Sequence, residues 1–229
     1  VNFRKEAKEL STIQNPAIIP YEKIAGICAV LVGLGGLSYS VAFMVLVVAG
    51  RAPALGLLLS SIFLTSIGLL NTVVLVAVYD RLRATSATSA VLALVLGISG
   101  ALGSAVHGGY DLAIALDPLA VVPAGLPSQI DPRGLLTFAV SGIALFIVAW
   151  LIRRGRQFPV GLAYLGGVSA VLLMFLYLGR LMVQDPTNPV VLVPAVLNGF
   201  LIGPVWYLWI GGVFLVSRSK ELITGRGVV

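Results

Sequence analysis

PALGLLLSSIFLTSIGLLNTVVLVAVYDRLR, residues 53–83, decides what kind of fold this chain can adopt. From Pro53 to Tyr79 it carries no charged side chain, and then Asp80, Arg81 and Arg83 arrive together. As a helix the uncharged part rises about 40 Å at 1.5 Å per residue, more than the roughly 30 Å of a bilayer's hydrocarbon core. A spanning helix ends in this way, where its charges reach the headgroups. Five further long apolar runs flank this one, at about 24–49, 89–115, 134–152, 158–182 and 190–216.

The whole chain has the same character. Its 229 residues are 59% hydrophobic and 10% charged, with a mean hydropathy of +1.04. A soluble domain needs far more charge to cover its surface. Six spans and their connections use up the length, which predicts an all-α polytopic membrane protein, a six-transmembrane-helix bundle filling 21–217. Residues 1–20 are expected to be a cytoplasmic segment, with Phe3, Ala7, Leu10 and Ile13 at the spacing of an interfacial amphipathic helix. Residues 218–229 read as a cytoplasmic basic tail.

Orientation follows from where the basic residues fall. Arg4, Lys5, Lys8, Lys23, Arg81, Arg83, Arg153, Arg154, Arg156, Arg218, Lys220 and Arg226 lie on one side, against Arg51, Arg133 and Arg180 on the other. The bias predicts an inner (cytoplasmic) membrane protein with both termini in the cytoplasm. It also makes membrane lipids the natural partner of the net charge of +6, and not nucleic acid.

The connections have distinct characters. Gly50-Arg51-Ala52-Pro53 is a tight turn, so the first two spans should be antiparallel neighbours. Residues 116–133 form the longest loop, with four prolines, and are expected to cover the bundle's outer mouth. Small residues recur at four-residue spacing where helices should pack closely: Gly100, Ser104 and Gly108 in the third span, Gly199 and Gly203 in the sixth. Gly203-Pro204 marks a kink. The cluster Trp206-Tyr207-Leu208-Trp209 falls in the inner half of the sixth span, where core or lipid packing is the first expectation and an interfacial belt or a partner's apolar surface the alternative. Asn71, mid-membrane, reads as interhelical glue.

Three segments, YEKIAGICAVL (21–31), VAVYDRLR (76–83) and RRGRQFPVGLAYLGGVSAVLLMFLYL (153–178), resemble a family of bacterial six-span membrane proteins carried as a domain of unknown function. The resemblance implies the six-span architecture and brings no catalytic residue with it.

Ionisable groups inside spans are expensive and therefore informative. Topology gathers His107, Asp111, Arg180, Tyr177 and Asn198 into the outer half of the membrane. Two arrangements follow from that. In one, Asp111 and Arg180 pair and lock two helices together. In the other, these five residues line a pocket in which Arg180 holds an anionic headgroup or solute and His107 titrates near neutral pH. One histidine and one cysteine, Cys28, leave no set of metal or haem ligands, so no cofactor and no metal is expected. No G-x-S-x-G, HExxH or P-loop occurs, and a Ser104–His107 pair lacks any legible oxyanion hole. The chain thus reads as a non-enzymatic integral membrane protein. The first expectation is an accessory or structural subunit that packs against other membrane protein subunits. The alternative is a small transporter, or a lipid- or solute-binding protein with its pocket in the outer half of the bilayer.

Overall fold

The computed structural model describes residues 21–117, 131–183 and 185–223. The expected amphipathic helix at 2–13, most of the long loop and the end of the basic tail lie outside them. Six helices are long and apolar enough to cross a membrane: α1 (Tyr21–Val48), α2 (Pro53–Leu82), α3 (Ala87–Leu116), α4 (Leu135–Gly155), α5 (Val160–Met182) and α6 (Pro189–Val216). Among the described residues there is no strand. α6 continues as helix to Ile223, into what the sequence alone marks as tail. Helix is the structure the solvent demands, because hydrocarbon offers no partner to an open backbone N–H or C=O.

Each helix packs against the one before and the one after it in the chain, and α6 closes on α1. The result is an up-and-down ring of six. Its outer face is apolar: Phe146 is 59% exposed, Phe175 61% and Leu92 51%. In water such a surface would aggregate; against lipid tails it is neutral. The chain is an integral membrane protein.

Glycines let the helices approach. An added Cβ on Gly68 of α2 would sit 2.6 Å from the Ala101 carbonyl and the Ala105 nitrogen of α3. On Gly108 of α3 it would sit 2.6 Å from the Thr65 nitrogen of α2. Gly26 and Gly211 face each other's carbonyls across the α1–α6 seam. Gly100 instead meets Ser141 and the Leu136 carbonyl of α4, so the small residues of α3 serve two neighbours. Gly199 faces Ser40 of α1, whereas Gly203 approaches the Asn198 carbonyl of its own helix.

The two ends of the ring differ. At the basic end the interior is solid, filled by Leu82, Ile152, Leu162, Ile210 and Phe214, none more than 1% exposed. Arg81 caps this plug. Its guanidinium lies over the rings of Phe158 and Phe214, at 5.2 and 4.7 Å, and donates to both Glu22 oxygens at 2.8 and 3.0 Å. That pairing ties α1 to α2 over an aromatic floor.

The opposite end is irregular. Wide π-type turns occupy Ala42–Val48, Leu135–Val140 and Leu197–Ile202, all in that half. The last one precedes Pro204, whose ring would collide with the carbonyl four residues back in a regular helix; the wider turn relieves it, and this is the form the expected kink takes. α4 starts on a buried carboxylate. Asp131 accepts from the Leu136 and Thr137 N–H groups at 2.7 and 2.9 Å while 1% exposed. Arg133 donates to the Leu181 carbonyl and ties this start to the end of α5. Asp131→Ala leaves two N–H groups orphaned and is expected to lower stability by about 1–3 kcal/mol, read as earlier thermal unfolding in detergent.

Candidate functional site

The wide half of the ring encloses a cavity of about 370 Å³ that every one of the six helices lines. Its walls are mostly apolar, with Val32 and Phe43 from α1, Leu64 and Ile67 from α2, and Leu173 and Leu176 from α5. Trp206 and Tyr207 help to form its floor above the solid plug. The Trp206 ring is 4% exposed, packs edge-on against Tyr207, and donates Nε1–H to the Leu162 carbonyl at 3.1 Å. Trp206 therefore belongs to the core of the bundle and not to an interfacial belt; Trp209, 41% exposed, stays on the outside.

Polar groups enter this apolar space one or two to a helix: Ser40, Asn71, Ser104, Thr137 with Ser141, Ser169 and Asn198. Most are satisfied locally. Ser40 donates to Gly36 at 3.0 Å, Ser104 to Gly100 at 3.1 Å and Ser141 to Leu136 at 3.2 Å, each to a backbone carbonyl of its own helix. Ser169 donates to Asn198 Oδ1 at 2.7 Å and joins α5 to α6 across the wall. Two are not satisfied. Asn71 Oδ1 and Thr137 Oγ1 are buried without a hydrogen-bond partner. Such atoms are rare in native folds. The Asn71 amide lies beside the Tyr207 hydroxyl and so links α2 to α6, as glue between helices does, while the residue also lines the cavity.

Arg180 lines the same space. Its guanidinium lies 5.6 Å from the ring centre of Phe138 on α4, and among the described residues no carboxylate lies within ion-pair distance of it. Asp111 pairs with His107 instead, at 3.3 Å from Nε2 to Oδ2, one turn apart on α3. The helical lock between Asp111 and Arg180 is therefore absent. A partner on the same helix is reached without bridging two elements, and i, i+4 geometry presents it. The Tyr39 hydroxyl lies within electrostatic reach of both Arg180 and Asp111.

Of the five residues singled out from the sequence, Arg180 and Asn198 line the cavity, while His107, Asp111 and Tyr177 do not. His107 Nδ1 is buried without a partner, and Ser104 turns to the Gly100 carbonyl, so no Ser–His dyad forms. Thr137, Ser169, Tyr39 and Tyr207 join the lining unforeseen as a set. Among the described residues no three His, Cys, Asp or Glu side chains converge as metal ligands would.

The arrangement can hold a molecule. A long apolar slot with a cation near its mouth accommodates an apolar body and an anionic end. No family model, curated protein or solved structure matches the chain, so the resemblance to a bacterial family reduces to the six apolar helices themselves.

Proposed function

We propose that this integral membrane protein binds a small amphiphile in the hollow half of its helix ring, with the anionic head on Arg180 and the apolar body below. One observation carries the reading: Arg180 lines the cavity, and among the described residues no carboxylate lies within ion-pair distance of it. A guanidinium held between helices in this way is expensive unless an anion completes it. Thr137 Oγ1, on the turn that also bears Phe138, is a second unpaired group suited to a carboxylate or phosphate oxygen. The positive-inside bias supports a mouth that opens on the outer side of a cytoplasmic membrane. The plug of Phe158, Phe214 and their neighbours closes the inner side. A one-ended hollow fits a protein that binds or presents its ligand.

A second reading, an accessory subunit of a larger membrane assembly, draws on a different observation. At Gly109, Gly167 and Gly212 an added Cβ would meet nothing within 4 Å, so another helix could approach these faces closely. Native mass spectrometry after gentle extraction separates the two readings. The binding reading expects the chain, alone or as a homo-oligomer, to carry one amphiphile per subunit, lost in Arg180→Ala. Other protein subunits at fixed stoichiometry, with no small-molecule mass, would replace it with the subunit reading.

A further inference from the structure

The arginines at the basic end of the ring do not share one environment. Those of α2 are paired, Arg81 with Glu22 at 2.8 Å and Arg83 with Asp80 at 3.0 Å. Arg153 and Arg154 in the last turn of α4, and Arg156 just past it, are exposed. Among the described residues no carboxylate lies within ion-pair distance of these three. The helix dipole favours cations in a last turn, but its pull fades beyond it, where Arg156 stands.

The backbone holds Arg156 at a cost. Its φ is 57°, in the left-handed region where a helix end ordinarily carries glycine. Strain of this kind gathers at functional sites. The turn around it is pinned as well. The Thr85 hydroxyl donates to Gln157 Oε1 at 3.1 Å, and the buried Phe158 ring lies under the Arg81 guanidinium. Arg156 is thus carried by a fixed turn and not by a loose arm.

Below these arginines α4 turns an apolar stripe outward. Ile143, Phe146 and Trp150 are exposed at helical spacing, and Arg153 and Arg154 follow Trp150 by three and four residues, on the same face. The Arg154 guanidinium lies 4.4 Å from the centre of the Trp150 ring. Tryptophan marks headgroup level in a spanning helix, so this charge rests where a phospholipid carries its phosphate.

We infer that this corner of α4 binds one anionic phospholipid, its phosphate on Arg153, Arg154 and Arg156 and its acyl chains along Ile143, Phe146 and Trp150. Charge complementarity selects the headgroup, because a zwitterionic lipid brings its own cation and leaves the arginines in excess. The site stands apart from the hollow, at the other end of the ring.

The test reads Trp150 fluorescence of the full chain in phosphatidylcholine nanodiscs, isolated by subtracting the spectrum of Trp150→Phe. The nanodiscs carry rising fractions of phosphatidylglycerol or phosphatidylcholine brominated high on the acyl chains. Brominated phosphatidylglycerol is expected to half-quench Trp150 at a mole fraction roughly tenfold lower, as charge-assisted contacts to one phosphate allow. Arg156→Gly relieves the strained backbone, so it should melt no earlier than wild type while the preference falls several-fold. An unchanged preference in that variant would make Arg156 a helix end only and overturn its place in the site. Equal quenching by the two lipids in the wild type would overturn the site altogether, leaving headgroup anchors or a dock for an acidic protein. A preference that survives Arg153→Gln, Arg154→Gln and Arg156→Gly together would belong to the general charge of the basic end, and would overturn it too. The wild-type comparison decides even where the arginine variants fold poorly.

Discussion

Arg180→Ala is expected to weaken binding of a single-chain acid by about 10- to 100-fold. Hydrogen bonds to a charged group contribute about 1.5–3 kcal/mol, and each 1.4 kcal/mol is a factor of ten. Arg180→Lys keeps the charge and loses the planar fork, so an intermediate loss of several-fold should follow. Arg180→Glu places like charge against the head and should remove binding altogether. The fold should survive all three. Arg180 gives up its contact with the Phe138 ring, about 0.5–1 kcal/mol. Titration calorimetry and thermal unfolding, run on the same samples, separate affinity from folding. Unchanged affinity in Arg180→Ala would make this residue an interfacial anchor whose charge merely reaches for the headgroups.

Gly68→Ala is the substitution with the largest expected effect on folding. The new methyl would lie 2.6 Å from the Ala101 carbonyl and from the Ala105 nitrogen. Both are backbone atoms of α3, and no rotamer change relieves them. α2 and α3, the most intimately packed pair of the ring, would have to move apart along their length. Overpacking costs about 1–3 kcal/mol where side chains can give, so a loss of about 3 kcal/mol or more is expected here. Gly68→Val should yield little folded protein. The control is Gly109→Ala, on an open face of α3, expected within about 0.5 kcal/mol of wild type. Thermal unfolding in detergent ranks the three variants. A wild-type melt for Gly68→Ala would contradict the close α2–α3 contact and with it the geometry of the ring.

The same pair of helices illustrates what could be read in advance. That α2 spans a membrane is written in its uncharged run and in the charges that end it, because hydrocarbon punishes any other arrangement. Its ends at Pro53 and Leu82 fall within a few residues of the apolar run. Which way α2 turns is not written. A span apolar all round has no face that names its interior, since lipid tails and protein interior are equally apolar. Asn71 could have looked into the bundle, across a seam or toward another helix; closure of the ring turns it to the hollow. Ser40, Ser104, Ser169 and Asn198 carry the same hidden signal, a polar residue in an apolar run, whose common face exists only once the helices are arranged.

The wide turns in α1, α4 and α6 rotate side chains beyond them out of register with a regular helix, so counting by 3.6 misleads in the half that matters. The gathering of ionisable groups at one end was legible, and their pairing was not. Asp111 takes the nearer His107 on its own helix, and Arg180 turns to Phe138 and the cavity. Asp131 lies beyond a proline-rich loop with no helical pattern of its own, so nothing ahead of the fold marks it as the cap of α4.

The central claim is that an amphiphile lies in the hollow with its head at Arg180 and its chain reaching the floor. Trp206 lines that floor and can report on it directly. Trp150 and Trp209, 38% and 41% exposed on the outside, would report on lipid, so each is replaced by phenylalanine. A fatty acid brominated at its chain end is then titrated into nanodiscs. Saturable quenching of Trp206, displaced by unbrominated acid and lost in Arg180→Ala, is the result this account predicts. Quenching that rises only in proportion to acid in the bilayer, and is the same in Arg180→Ala, would contradict it.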